Sequence, residues 1–270
     1  MDALSSSGLA LVLGGSGHVG SAIARRLASD GYRVCVHWSK SESNAERVVD
    51  DICRAGGRAF HARADLASSH ELGALFDRLA ATREPLGALV FSAALNVPGL
   101  LRLARDEDVE RMLAVNVAAA FSCVRRASVV MSRVRAGRIV LIGSMSDARP
   151  LLGQAGYAAS KAALAGLTRA AALELAEFGV TVNLVRAGPI EGGGMTERVG
   201  RPQEPVVLTP RAPDGSELAG LVAWLCSPIA DTVTGQSFLI DGGLGLTTLM
   251  SRRRPSARPG ERLAGKKAAE

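Results

Sequence analysis

Hydrophobic and polar positions along this chain follow two periods by turns. Short β-branched or aliphatic runs stand at 9–13 (LALVL), 33–38 (RVCVHW), 58–63, 88–92 (ALVFS), 138–142 (RIVLI), 181–186 (TVNLVR) and 237–240 (SFLI). Strands covered on both faces read as near-continuous runs of this kind, whereas half-exposed strands alternate. Between the runs lie stretches with helical spacing, at 19–29, 43–55, 69–82, 106–134, 154–178 and 216–226. In the first of these Ile23 and Leu27 share one face, and Gly31 follows its end, where helices commonly close on glycine. The alternation predicts an α/β fold: a doubly wound parallel sheet of about seven strands, Rossmann-like, in a single domain. From 187 to 214 the pattern lapses into a Gly- and Pro-rich stretch, long enough to be a functional lid or mobile segment.

Composition and charge set limits on this picture. The chain has 270 residues, 47% of them hydrophobic and 21% charged, enough for a sizeable core. Its start, MDALSSSGLALVLGG, lacks the basic and long apolar regions of a signal peptide, and no segment approaches the roughly 20 uninterrupted apolar residues of a membrane helix. A cytoplasmic protein with no membrane role is therefore expected. The net charge of +6 would suggest nucleic acid if it were spread over the body. It is not: residues 251–270 hold seven Lys/Arg and two Glu, or +5, leaving +1 for residues 1–250. The domain is accordingly assigned to 1–250, with no nucleic-acid partner. The tail has too few large apolar side chains to offset its ordering entropy and is expected to be disordered, either a solvated solubility tail or a docking arm for an acidic partner. Cys35, Cys53, Cys123 and Cys226 form no CxxC pair and the four histidines show no ligand spacing, which predicts buried free thiols and no metal.

Two stretches carry chemistry. LVLGGSGHVGSAI follows a predicted strand and opens a helix, the setting in which glycines let a backbone approach a dinucleotide diphosphate while the helix N-terminus supplies amide donors. QAGYAASKAALAGL, residues 154–167, places Tyr157 and Lys161 four apart on one helical face in a chain with two tyrosines and four lysines. A phenol can protonate an oxygen on which negative charge develops, and a nearby cation lowers its pKa from the usual value of about 10.

These residues resemble the short-chain dehydrogenase/reductase family over residues 8–246. Leu13-Gly14-Gly15-Ser16-Gly17-His18-Val19-Gly20 stands where the family has TGxxxGxG, with Leu for Thr and His for the middle Gly. Asp65-Leu66 is similar to the family's adenine-contacting pair, Asn116 in MLAVNVAAAF to its helix-borne asparagine, and Ser144, thirteen residues before Tyr157, to its serine. VTGQSFLIDGGL is similar to its last strand and turn. Phe91-Ser92-Ala93-Ala94 replaces NNAG, and Ala187-Gly188 replaces PG.

The resemblance implies a catalytic set of Asn116, Ser144, Tyr157 and Lys161. Lys161 would hold the nicotinamide ribose and tune Tyr157, Ser144 would bond the substrate oxygen, and Asn116 would position a water leading to solvent. Cofactor contacts would come from Gly14, Ser16, Gly17, His18, Val19, Asp65, Leu66, Ser92, Ala93, Ala94, Tyr157, Lys161, Gly188 and Ile190. The second strand ends in VCVHWSKSES without the acid that accepts from a ribose 2′-hydroxyl, so NADPH is expected over NADH, held through Ser39, Lys40 and Ser41 unless Lys40 is merely a solvated loop charge. The implied activity is reduction of a ketone, most similar to that of 3-oxoacyl-carrier-protein reductases, on a small-molecule or carrier-bound substrate. A tailoring ketone or quinone reductase, the reverse dehydrogenase and a non-catalytic nucleotide sensor are the alternatives. The alanine-rich helix at 154–178 is small and apolar nearly all round, and the family implies a homotetramer or homodimer packed on it.

Overall fold

The computed structural model describes residues 8–193 and 207–246; residues 194–206 of the Gly/Pro-rich stretch and the basic tail lie outside these residues. The seven apolar runs form one sheet: β1 (Leu9–Leu13), β2 (Arg33–Trp38), β3 (Arg58–Arg63), β4 (Leu86–Phe91), β5 (Gly137–Ser144), β6 (Val180–Ala187) and β7 (Ser237–Ile240). All neighbours pair in parallel, in the order β3-β2-β1-β4-β5-β6-β7. The order reverses between β1 and β4, so the connections leaving their C-terminal ends part to opposite faces and open a crevice there. β5 and β6 are longer than their apolar runs, pairing from Gly137 with Val180 to Ser144 with Ala187. Glycine and serine at the strand ends carry no hydrophobic signal but still supply ladder hydrogen bonds.

The described helices are α1 (His18–Ser29), α2 (Glu42–Arg54), α3 (Ser69–Ala81), α4 (Asp106–Leu113), α5 (Ala119–Val134), α6 (Ala155–Leu175) and α7 (Gly215–Leu225). The helix expected over 106–134 is divided by a π-helical turn at Ala114–Ala118, and the one over 154–178 ends in a 3₁₀ turn at Ala176–Phe178. One sheet face buries Leu11, Leu89, Leu141 and Leu184 against Leu75, Cys123, Met131 and Leu164 of α3, α5 and α6. The other buries Val12, Val36, Val140 and Val185 against Ile23, Val48 and Val222 of α1, α2 and α7.

One expectation needs correction. Cys35, Cys123 and Cys226 are buried free thiols that burial pushes up to about 12, but Cys53 is exposed. It follows Ile52, the last residue of the inward stripe Ala45, Val48 and Ile52 on α2, and so turns outward. The stretch Asp106–Val134 contains an 18-residue window of mean hydropathy 1.4, long and apolar enough to cross a membrane by length and composition only. Its apolar positions are divided between the core and an outward stripe with Phe121, Val129 and Val134 exposed.

Candidate active site

The residues expected to bind cofactor gather at the C-terminal ends of β1, β2, β4 and β6, around the crevice. Gly14 leaves β1 at φ 75°, and a side chain there would stand 2.8 Å from the Ala93 backbone, so the loop crosses directly over the end of β4. At Gly20 a side chain would meet Gly14 O at 2.1 Å, because α1 packs against the loop that starts it. No acid lies in the first turn of α1 and no side chain caps it at Gly17, which leaves its amides and dipole to an anion. These features fit a dinucleotide diphosphate. His18, in place of a glycine, turns its ring across the crevice: Nε2 donates to Glu191 O at 3.0 Å and joins the start of α1 to the segment after β6. In that segment Gly188 N donates to Ile240 O at 2.7 Å and Ile190 is buried.

Ser144 ends β5, and Tyr157 and Lys161 lie on the inward face of α6, both buried. Lys161 Nζ stands 5.8 Å from the centre of the Tyr157 ring and donates to Ile142 O at 2.8 Å. Burial pushes the Tyr157 phenol up to about 12, opposed by the Ser144 hydroxyl, and lowers Lys161 to about 8. The direction at Tyr157 is therefore opposite to the expected one: desolvation outweighs the Ser144 hydroxyl, and the phenol is protonated at neutral pH.

Asn116 sits in the π-helical turn, fully buried, and its amide is already engaged. Oδ1 accepts from Leu95 N at 2.7 Å, while Nδ2 donates to Leu95 O at 2.8 Å and to Ser160 Oγ at 2.9 Å. Ser160 in turn donates to Tyr157 O at 2.7 Å. The side chain thus ties the segment after β4 to the helix bearing Tyr157 and Lys161.

At the adenosine end, Asp65 accepts from Ala67 N at 3.0 Å and from Arg111 at 3.3 Å, and these partners hold its carboxyl below the usual range. Leu66 is buried in the core, which leaves only its backbone for contact. Ser39 is half-buried, Lys40 exposed, and Ser41 starts α2 without capping it through its side chain. Ser92 N donates to Leu13 O at 2.9 Å, which sets Ser92-Ala93-Ala94 beside the glycine loop.

Three positioning residues carried no motif. His37 is buried between the loop and β3: Gly14 N donates to its Nδ1 at 3.0 Å and its Nε2 donates to Ala64 O at 3.0 Å. Burial lowers it to about 4, so it is neutral. Ser146 donates to Gln154 Oε1 at 3.1 Å and its amide donates to Ser144 Oγ at 3.2 Å, which fixes the serine from behind. Asp147 pairs with Arg186 of β6 and pins the same turn. Glu42, Glu46 and His61 also converge. Trp38 Nε1, which can only donate, occupies His61 Nδ1 at 3.0 Å, so Nε2 carries the proton and neither nitrogen is free for a cation.

The chain matches the family described as short chain dehydrogenase over residues 8–204. It is 35% identical over 239 residues to the 3-oxoacyl-(acyl-carrier-protein) reductase FabG of Staphylococcus aureus, covering 87% of this chain and 97% of that one. It is also 35% identical over 245 residues to the uncharacterized oxidoreductase YgfF of Escherichia coli, covering 87% and 99%. Among solved structures, a dehydrogenase/reductase from Sinorhizobium meliloti superposes with a TM-score of 0.80 at 36% identity, over 89% of this chain and 97% of that one.

Proposed function

This chain belongs to the short-chain dehydrogenase family of NAD(P)-dependent oxidoreductases, and from that premise we propose that it is an NADPH-dependent carbonyl reductase converting a ketone to a secondary alcohol, with a 3-oxoacyl group on a carrier protein as its substrate. The observation that carries the reading is the meeting of Ser144, Tyr157 and Lys161 at the end of β5 beside the glycine loop. The similarity to the S. aureus reductase supports the substrate class, and the absence of an acid at the end of β2 supports NADPH.

The bound cofactor would supply the hydride. Ser144 Oγ would donate to the carbonyl oxygen and hold it near the phenol. Tyr157, protonated at neutral pH, would pass its proton to that oxygen as charge develops on it. The resulting phenolate would be strongly disfavoured in a buried site without a cation, and the Lys161 ammonium supplies one on the same helical face. Asn116 keeps the loop after β4 and α6 in one geometry throughout. Exposed Phe121 of α5 and Leu173 of α6 fit a homo-oligomer packed on these helices.

The test is NADPH oxidation by the full-length enzyme with 3-oxoacyl thioesters, quinones and decalone-type ketones, repeated with Tyr157→Phe. That substitution keeps the ring's packing and removes the proton donor, so turnover should fall by roughly 10²-fold or more while NADPH still binds. Near-wild-type turnover would remove the mechanism. Turnover of quinones or cyclic ketones alone would make the enzyme a tailoring reductase.

A further inference from the structure

Beside the glycine loop, α1 and α2 diverge and leave a cleft of about 290 Å³. Ser16 and Gly17 of the loop, Ser21 of α1, and Asn44 and Arg47 of α2 line it. Arg25 and Asp51 close its far end and neutralise each other across 2.8 Å. Arg47 is not neutralised in this way. Its guanidinium donates to Asn44 Oδ1 and, at 3.4 Å, to Ser43 O, and among the described residues no carboxylate is paired with it. A side chain at Gly17 would meet only Gly14 O, at 3.3 Å, so the space in front of the loop is open. Lys40 does not line the cleft.

The cleft lies on the β2 side of the loop. With the diphosphate on the N-terminus of α1, the adenosine ribose comes to rest on this side. A 2′-phosphate there would be a dianion facing one unpaired guanidinium and the Ser16 hydroxyl. We propose that Arg47, steadied by Asn44, is the principal ligand of the cofactor's 2′-phosphate and the residue that sets NADPH over NADH, with Lys40 adding only long-range charge. The inference rests on the NADPH reading above. A guanidinium offers two parallel N–H groups to a phosphate, whereas an ammonium on a flexible stem acts as a point charge.

Calorimetric titration of the full-length protein with 2′,5′-ADP and with 5′-AMP separates the possibilities. Wild type should bind 2′,5′-ADP more tightly. Arg47→Ala should weaken 2′,5′-ADP by about 10- to 100-fold, the scale of a charge-assisted hydrogen bond, and leave 5′-AMP unchanged. Arg47→Lys should fall between the two, and Lys40→Ala should cost less than about threefold, as a screened long-range charge does. If wild type prefers 2′,5′-ADP and Arg47→Ala keeps that preference, or if Lys40→Ala causes the larger loss, the assignment to Arg47 is overturned and the NADPH reading stands. If wild type binds both nucleotides equally, the NADPH reading fails and the assignment with it. Equal weakening of both by Arg47→Ala would show a distorted adenosine site and would also overturn the proposal.

Discussion

Acid should loosen the cofactor loop through one buried histidine. His37 holds Gly14 N and Ala64 O from its two ring nitrogens, an arrangement only the neutral ring can make, since the charged ring has no acceptor. Its pKa is lowered from 6.5 to about 4 by burial, so between these values the unfolded chain takes up a proton that the folded chain refuses. The histidine's contribution is complete above pH 6.5 and is lost as pH falls toward 4. At about 1.36 kcal/mol per pKa unit, the full loss is about 3 kcal/mol, of which about 2 kcal/mol is gone by pH 5.

The substitution that isolates this effect is His37→Asn, whose amide oxygen can still accept from Gly14 N but does not titrate. At pH 7 it should cost about 1–3 kcal/mol, because Ala64 O loses its donor and the smaller side chain leaves space. Urea unfolding of both proteins at pH 7, 6 and 5 gives the difference in stability at each pH. Carboxyls with lowered pKa, such as Asp65, also weaken the fold in acid, but they are common to both proteins and cancel. The wild-type advantage should therefore shrink by about 2 kcal/mol between pH 7 and pH 5. A constant difference across that range would show that His37 is not held neutral by the fold.

Two further outcomes follow from the same site. Asn116→Ala should cost about 2–3 kcal/mol, the scale for breaking a buried polar network, and should speed hydrogen exchange at the Leu95 amide; protection of that amide equal to wild type would show that the tie does not hold the loop. Lys161 is lowered to about 8, so its cation is present below that pH and lost above it, and kcat/KM for NADPH, which reports the free enzyme, should fall about tenfold per pH unit beyond pH 8. A profile flat to pH 10 would remove Lys161 from the proton-transfer step.

What could be read in advance and what could not differ in a physical way. Tyr157 and Lys161 are one turn apart on a single helix, and Gly14 to Gly20 form one turn into one helix, so local geometry alone brings each group together. The π turn at Asn116 left no trace, because the apolar positions run through it unbroken from α4 to α5. His37 was invisible for a related reason. β2 is buried on both faces, so its side chains do not alternate in polarity and nothing sets a buried histidine apart from an exposed one. Its role depends on register: Val12 pairs with Val36, so Gly14, just beyond the end of β1, comes level with the end of β2 and its amide meets the ring. The same parallel pairing of β2 with β3 sets His37 against Ala62 and brings Ala64 O within reach of the other nitrogen. Hydrogen bonds of this kind join residues 23 and 27 positions apart, and they arise only when three strands have taken their places. The loop that looks self-contained in the sequence is therefore fixed by the sheet behind it, and its cofactor affinity should follow the stability of the β1–β2–β3 edge.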